Sequence, residues 1–154
     1  MPKINQVPKS SQEFKTVESM VNKCLRHLSK KDYGIIKDYS QSKAQARKVL
    51  EVYNTEIRSR AGANRIILCT SHWGISKGSF SEYLSFKDHP TIGSLKGVTY
   101  KKALFALVAH EVSHHVQYKY LRLDRRYKHL YKKPHGDGFK LVYNILRRDL
   151  VNPS

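Results

Sequence analysis

Ala103-Leu104-Phe105-Ala106-Leu107-Val108-Ala109-His110-Glu111-Val112-Ser113-His114 is the stretch on which the reading of this chain turns. The run from Tyr100 to Ala109 has neither Gly nor Pro and is rich in helix formers. Its apolar residues from Ala103 onward leave no polar side, the pattern of a helix threaded through a core. The predicted helix extends from about Thr99 to Leu121. Where it meets His-Glu-x-x-His-His, buried polar groups need partners, and a metal ion supplies them.

The spacing gives the chemistry. His110 and His114 are four residues apart, so their rings leave the helix on nearly the same bearing, one turn from each other. Both can reach one zinc ion at about 2.0–2.1 Å. Glu111 is read as a general base rather than a ligand. Downstream, Pro134-His135-Gly136-Asp137-Gly138-Phe139 offers His135 as a third ligand at the start of a last helix. Three histidines leave a fourth position for water, whose pKa zinc lowers toward about 7. The metal is inferred from ligand type, and manganese or cobalt suit the same donors.

Other residues near the motif carry weaker expectations. His115 leaves the helix away from the His110/His114 face, so a solvated or supporting role is expected over ligation. Asp124 and Asp137 can each accept a ring N–H from a ligating histidine, or sit at the surface. No spacing rule selects among Tyr127, His129 and Tyr131 as a donor to a developing oxyanion. Gly136 and Gly138 give the backbone freedom beside a ligand.

Around this centre the chain alternates between helix and strand signals. Residues 1–10, with Pro2 and Pro8, read as a flexible arm, and residues 11–154 as one domain. Ser11 can cap a helix to about Leu28 with Phe14, Val17, Val21, Leu25 and Leu28 on its apolar stripe. A second helix is predicted from Ser42 to Thr55, with Ala44, Ala46, Val49, Leu50 and Tyr53 facing the core. Arg65–Thr70 and the alternating Ser81–Phe86 are strand candidates, and Asp88–Gly97 should be irregular. A closing helix from Gly138 to Leu150 points Phe139, Val142, Ile145, Leu146 and Leu150 inward. The expected fold class is α+β, with helices packed on a small sheet.

Composition narrows the partners. Net charge is +17, from 29 Lys and Arg against 12 Asp and Glu. Such an excess suits a polyanion, nucleic acid being the commonest, or is a solvated basic surface with no dedicated partner. No run approaches the ~20 apolar residues of a membrane span and Met1–Gln6 lacks a signal-peptide core, so an intracellular, non-membrane protein is expected. Cys24 and Cys69 fit reduced, buried thiols better than a disulfide or a second zinc site. A monomer is expected.

His110-Glu111-x-x-His114 followed after about twenty residues by His135-Gly136-x-x-Phe139 resembles the SprT-like zinc metallopeptidases, over roughly residues 60–150. The resemblance implies a zincin-like fold with His110, His114 and His135 as ligands to one zinc ion and Glu111 as the catalytic carboxylate. It also implies cleavage of protein substrates, notably those crosslinked to DNA, with DNA binding, single-stranded or damaged, as a common activator. Many relatives carry a C-terminal zinc ribbon. No cysteine follows Cys69 here, so any DNA contact is expected from the domain's own surface.

The candidate surface is the connection between the two motifs. Lys119, Arg122, Arg125, Arg126, Lys128, Lys132 and Lys133 alternate there with Tyr118, Tyr120, Tyr127 and Tyr131. Cations neutralise phosphates and tyrosines stack on unpaired bases. The same stretch also reads as a solvated helix and loop whose tyrosines anchor it to the core. Trp73 offers either a stacking surface or a packing contact. Three functions follow in order: a zinc endopeptidase acting on DNA-bound proteins, a DNA-independent zinc peptidase selecting acidic substrates, and a nucleic-acid-binding module with structural zinc.

Overall fold

The computed structural model describes residues 5–71, 74–82, 84–86 and 88–153. Ser11 caps helix α1 (Gln12–Leu28), its side chain accepting from the Phe14 amide at 3.2 Å. Phe14, Val17, Val21, Leu25 and Leu28 are all buried, as the stripe predicted, together with Met20 and Cys24. Cys24 and Cys69 are free and buried.

Helix α2 (Tyr39–Val49) is capped by Asp38, whose carboxylate accepts from the Gln41 amide. It ends earlier than the predicted Ser42–Thr55 helix. Leu50-Glu51-Val52-Tyr53 is strand β1, with alternating burial. Strand β2 (Arg60–Gly62) and strand β3 (Arg65–Cys69) complete a sheet of order β1-β3-β2. β1 runs parallel to β3, with Leu50 opposite Ile66, and β2 runs antiparallel to it, with Ala61 opposite Ile66. Pairing with the apolar β3, which cannot be seen locally, overrides the helical pattern beyond Val49. Ala44, expected in the core, is exposed: the helix turns Ser42 and Ala46 inward instead.

From Asn5 onward the stretch expected as an arm is bonded to the free edge of β1. Gln6 bridges Tyr53, the Val7 amide donates to the Val52 carbonyl at 2.8 Å, and Val7 is buried. One edge of the sheet is thereby covered.

Ser81–Phe86 is not the strand its alternation predicted. Phe80 pairs with Leu95 in an isolated bridge, and Leu84–Phe86 forms a 3-10 turn. Tyr83, in the middle of that stretch, lies outside the described residues, as does Trp73. The Glu82 side chain is turned into the core.

Helix α3 (Tyr100–Lys119), capped by Thr99, is the centre of the packing. It contacts α1 on one side, β2 and β3 on another, and helix α4 (Asp137–Leu146) on a third. Every residue from Ala106 to Gln117 is buried. α4 directs Phe139, Val142, Tyr143, Ile145 and Leu146 into the core and passes into a π-helical turn, Arg147–Val151. The class is α+β, with four helices and a three-stranded sheet among the described residues.

The C-terminal turn meets the end of α1 at Asp149. Asp149 accepts from Tyr33 Oη and Arg148 Nε, and pairs with His27 Nε2 at 2.8 Å. The Arg148 guanidinium foremost, then Tyr33 and His27, hold its carboxyl well below the ordinary 3.8, against partial burial. A depressed folded pKa contributes stability that is complete above the unfolded value and lost as pH falls toward the folded one. Asp149→Asn should therefore cost roughly 1–2 kcal/mol at neutral pH. Thermal unfolding should show this gap narrowing below about pH 4; a constant gap from pH 7 to pH 3 would contradict the assignment.

Candidate metal centre

α3 brings His110 and His114 to the floor of a cleft of about 480 Å³, and the loop before α4 brings His135 to its wall. His135 adopts a left-handed backbone, φ 59°, which turns its ring back toward α3. The three residues offer ring nitrogens that all lie within 4.8 Å of one another. His135 Nε2 is 3.2 Å from His114 Nε2 and 3.3 Å from His110 Nε2. Ligands about 2.0–2.1 Å from a tetrahedral zinc ion sit about 3.3–3.4 Å apart. The observed separations match that edge, so the residues present fit a metal ion.

Each ring is held from behind. Phe139 lies against all three, with centroids 4.4 Å from His114, 4.9 Å from His110 and 5.0 Å from His135. His110 Nδ1 is 3.0 Å from Glu82 Oε1, which leaves Nε2 to face the cluster. Gln117, fully buried, donates from Nε2 to the Lys133 carbonyl at 2.6 Å and ties the His135 loop to the motif helix.

Burial and the neighbouring rings push the pKa of His114 down to about 2, and burial with the charge of His110 pushes His135 down to about 4. Both are neutral imidazoles at physiological pH, as ligation requires. Burial also disfavours charge on His110, but the Glu82 hydrogen bond and the carboxylates of Glu111 and Glu82 outweigh it and its pKa is raised. Two carboxylates beside three ring nitrogens thus favour a positive charge at this spot, which a proton or a metal ion can bring. Glu111 is 5% exposed and burial raises its pKa, opposed by His110 and Arg58.

The structure sorts the remaining candidates. His115 is buried, not solvated, and its Nδ1 is 2.9 Å from the Gly62 carbonyl, away from the cluster. Asp124 does not back a ligand. It accepts from Arg126 Nε and Nη2 at 3.1 and 2.9 Å, and Asp137 is exposed. Glu82 holds the position for which Asp124 and Asp137 were candidates. It lies 28 residues before His110, and no motif spacing connects them. Tyr127, His129 and Tyr131 do not line the cleft, whereas Arg58 and Tyr118 do. The cleft also runs along Ser59, Arg60 and Ala61, at the edge strand β2.

Among the basic residues, Arg122, Arg125, Lys128, Lys132 and Lys133 are exposed, and Lys119 is half-buried at the end of α3. Arg126 is exposed too, but it is engaged in an ion pair. Its guanidinium is bonded to Asp124 and to the Tyr33 and Gly34 carbonyls, and lies 4.8 Å from the Tyr127 ring centroid. It fastens the connection to the α1–α2 loop. The tyrosines of this segment are half-buried, and Tyr120 donates to Ser42 Oγ.

Comparison with protein families, with curated proteins and with solved structures finds no match to this chain.

The approach of α4 depends on Gly138. A Cβ there would stand 2.3 Å from the Leu130 carbonyl oxygen, whereas one at Gly62 meets nothing within 4 Å. Gly138→Ala should destabilise the metal-free protein by about 1–3 kcal/mol through overpacking. Gly62→Ala should unfold within a degree or two of wild type. Equal melting of the two variants would show that the contact does not constrain the His135 loop.

Proposed function

We propose that this chain is a zinc-dependent endopeptidase of the SprT-like kind, with a zincin-like fold, that cleaves proteins bound or crosslinked to DNA. The observation that carries the reading is the convergence of His110, His114 and His135 Nε2, with His135 3.2–3.3 Å from the other two, beside the buried carboxylate of Glu111 in an open cleft.

His110, His114 and His135 would hold a zinc ion, which when bound would supply Lewis acidity to a water and to a substrate carbonyl. Glu111 would accept a proton from the attacking water and return one to the departing amine. Its burial excludes competing solvent from the carboxylate. Arg58 and Tyr118, on the wall of the same cleft, offer a positive charge and a hydroxyl donor to the oxygen that becomes negative. Phe139 packs against all three imidazoles and so helps to hold them in place. A purely structural zinc site closes with four protein ligands. The group found among the described residues has three and opens on a cleft, which favours catalysis.

The DNA-linked substrate is supported by charge and placement. Exposed Arg122, Arg125, Lys128, Lys132 and Lys133 lie on the connection leading to Pro134 and His135, both of which line the cleft. Phosphates held there would keep DNA beside the peptide being cut.

Cleavage of a DNA-bound protein, assayed with and without single-stranded DNA, tests the reading. Glu111→Gln should lower the rate by at least about 100-fold while zinc content stays that of wild type. Chelation should abolish cleavage and zinc should restore it. Unchanged cleavage by zinc-loaded Glu111→Gln would remove the mechanism. For DNA, Arg122→Ala with Arg125→Ala should weaken binding across sequences and lower the salt slope by about 1 for each arginine that meets a phosphate. Affinity insensitive to salt in the wild type would leave a DNA-independent peptidase as the better reading.

A further inference from the structure

Behind the cluster lies a buried ionic chain that no cleft-facing role uses. Glu82 Oε1 is 3.0 Å from His110 Nδ1, and Glu82 Oε2 accepts from Arg147 Nη1 at 3.4 Å. The Glu82 side chain is 0% exposed and that of Arg147 1%. The guanidinium is bonded on every nitrogen. Nη1 also donates to Tyr143 Oη at 3.0 Å, Nη2 to the Gly93 carbonyl at 2.9 Å, and Nε to Asn152 Oδ1 at 3.0 Å. Asn152 in turn donates to the Thr91 carbonyl, and the Glu82 amide donates to Ser94 Oγ.

We propose that Glu82, fixed by Arg147, is a positioning residue that sets the orientation and tautomer of His110 and thereby how tightly the three-histidine site holds a divalent metal ion. The inference rests on the metal reading of that site.

An ionised carboxylate only accepts hydrogen bonds. Paired with Arg147, Glu82 therefore accepts a hydrogen bond from an N–H at His110 Nδ1, and Nε2 presents its lone pair to the cluster. The ring cannot rotate away from this arrangement. Phe139 and Tyr143 stand edge-on to it at 4.9 and 5.2 Å. Loss of such a carboxylate behind a ligating imidazole typically weakens metal binding about 10–100-fold. As a stabiliser of the core the pair is a poor device, because apolar residues of similar volume often do as well or better. The π turn beginning at Arg147 delivers the guanidinium to Glu82 from the far end of α4, and such turns recur beside functional sites. The C-terminal turn, the 80–95 loop and the motif helix thereby meet at one ligand.

Zinc affinity of the whole chain, measured by chelator competition, reads the effect directly, with thermal unfolding of the metal-free protein in parallel. Glu82→Gln, whose amide accepts more weakly, should bind zinc about 10-fold more weakly than wild type. Glu82→Met/Arg147→Met, which removes acceptor and uncompensated charge together, should bind about 100-fold more weakly. It should melt closer to wild type than Glu82→Gln, which leaves a buried cation unpaired. Wild-type zinc affinity in either folded variant would overturn the inference. So would recovery of affinity along with melting temperature in the double variant, since that is the signature of packing alone. His110→Ala separates the two levels. If it binds zinc as tightly as wild type, the metal reading fails and the inference with it; if it loses zinc while the Glu82 variants keep it, only the inference fails.

Discussion

A helix buried on all sides that carries histidines and a glutamate in its second half is the constraint from which the rest of the structure follows. From Ala103 to Ala109, α3 needs only apolar neighbours, and α1, the sheet and α4 provide them. From His110 onward the same burial demands a partner for each polar atom, because an unpaired one costs on the order of 1–3 kcal/mol. Those partners come from unrelated parts of the chain. Glu82 meets His110, the Gly62 carbonyl meets His115, the Lys133 carbonyl meets Gln117, and Ser113 bonds back to the Ala109 carbonyl. Loop 80–95, strand β2 and the loop before α4 each therefore have a fixed place relative to the helix. The Nε2 atoms of His110, His114 and His135 face the cleft and are open to a ligand, while His115 Nε2 and Gln117 Oε1 stay buried without a partner.

The sequence was legible where the determinants are local. Ser11 and Thr99 cap helices as hydroxyls before apolar periodicity should, and both helix starts fall where they were expected. The four-residue spacing of His110 and His114 needs nothing beyond helical geometry, and β3 is an uninterrupted apolar run. What was not legible depends on contacts between distant segments. β1 reads as the tail of a helix until β3 is placed beside it, and β2, three residues long, has no pattern to detect. The Ser81–Phe86 alternation misled because its period is silent on what holds Glu82, which is buried in the core. Its charge is compensated by Arg147, 65 residues away, so polarity there marks the interior. Arg126 lies at the surface as expected, but its pairing with Asp124, two residues earlier, was not legible because Asp124 also reads as a partner for histidine.

Electrostatics divides this small molecule into two regions. Acidic side chains are few, and several are occupied internally: Glu82 by Arg147 and His110, Asp124 by Arg126, Asp149 by Arg148, Tyr33 and His27, and Glu18 by Arg47. The excess of positive charge is therefore expressed at the surface with little local cancellation, and the 119–135 connection is one place where it is dense. The cleft is the opposite case. Its floor carries Glu111 with Glu82 just behind His110, and the two carboxylates favour positive charge there. Exposed cations thus lie on the connection that leads to the cleft, while the carboxylates at its floor favour a cation on the histidines.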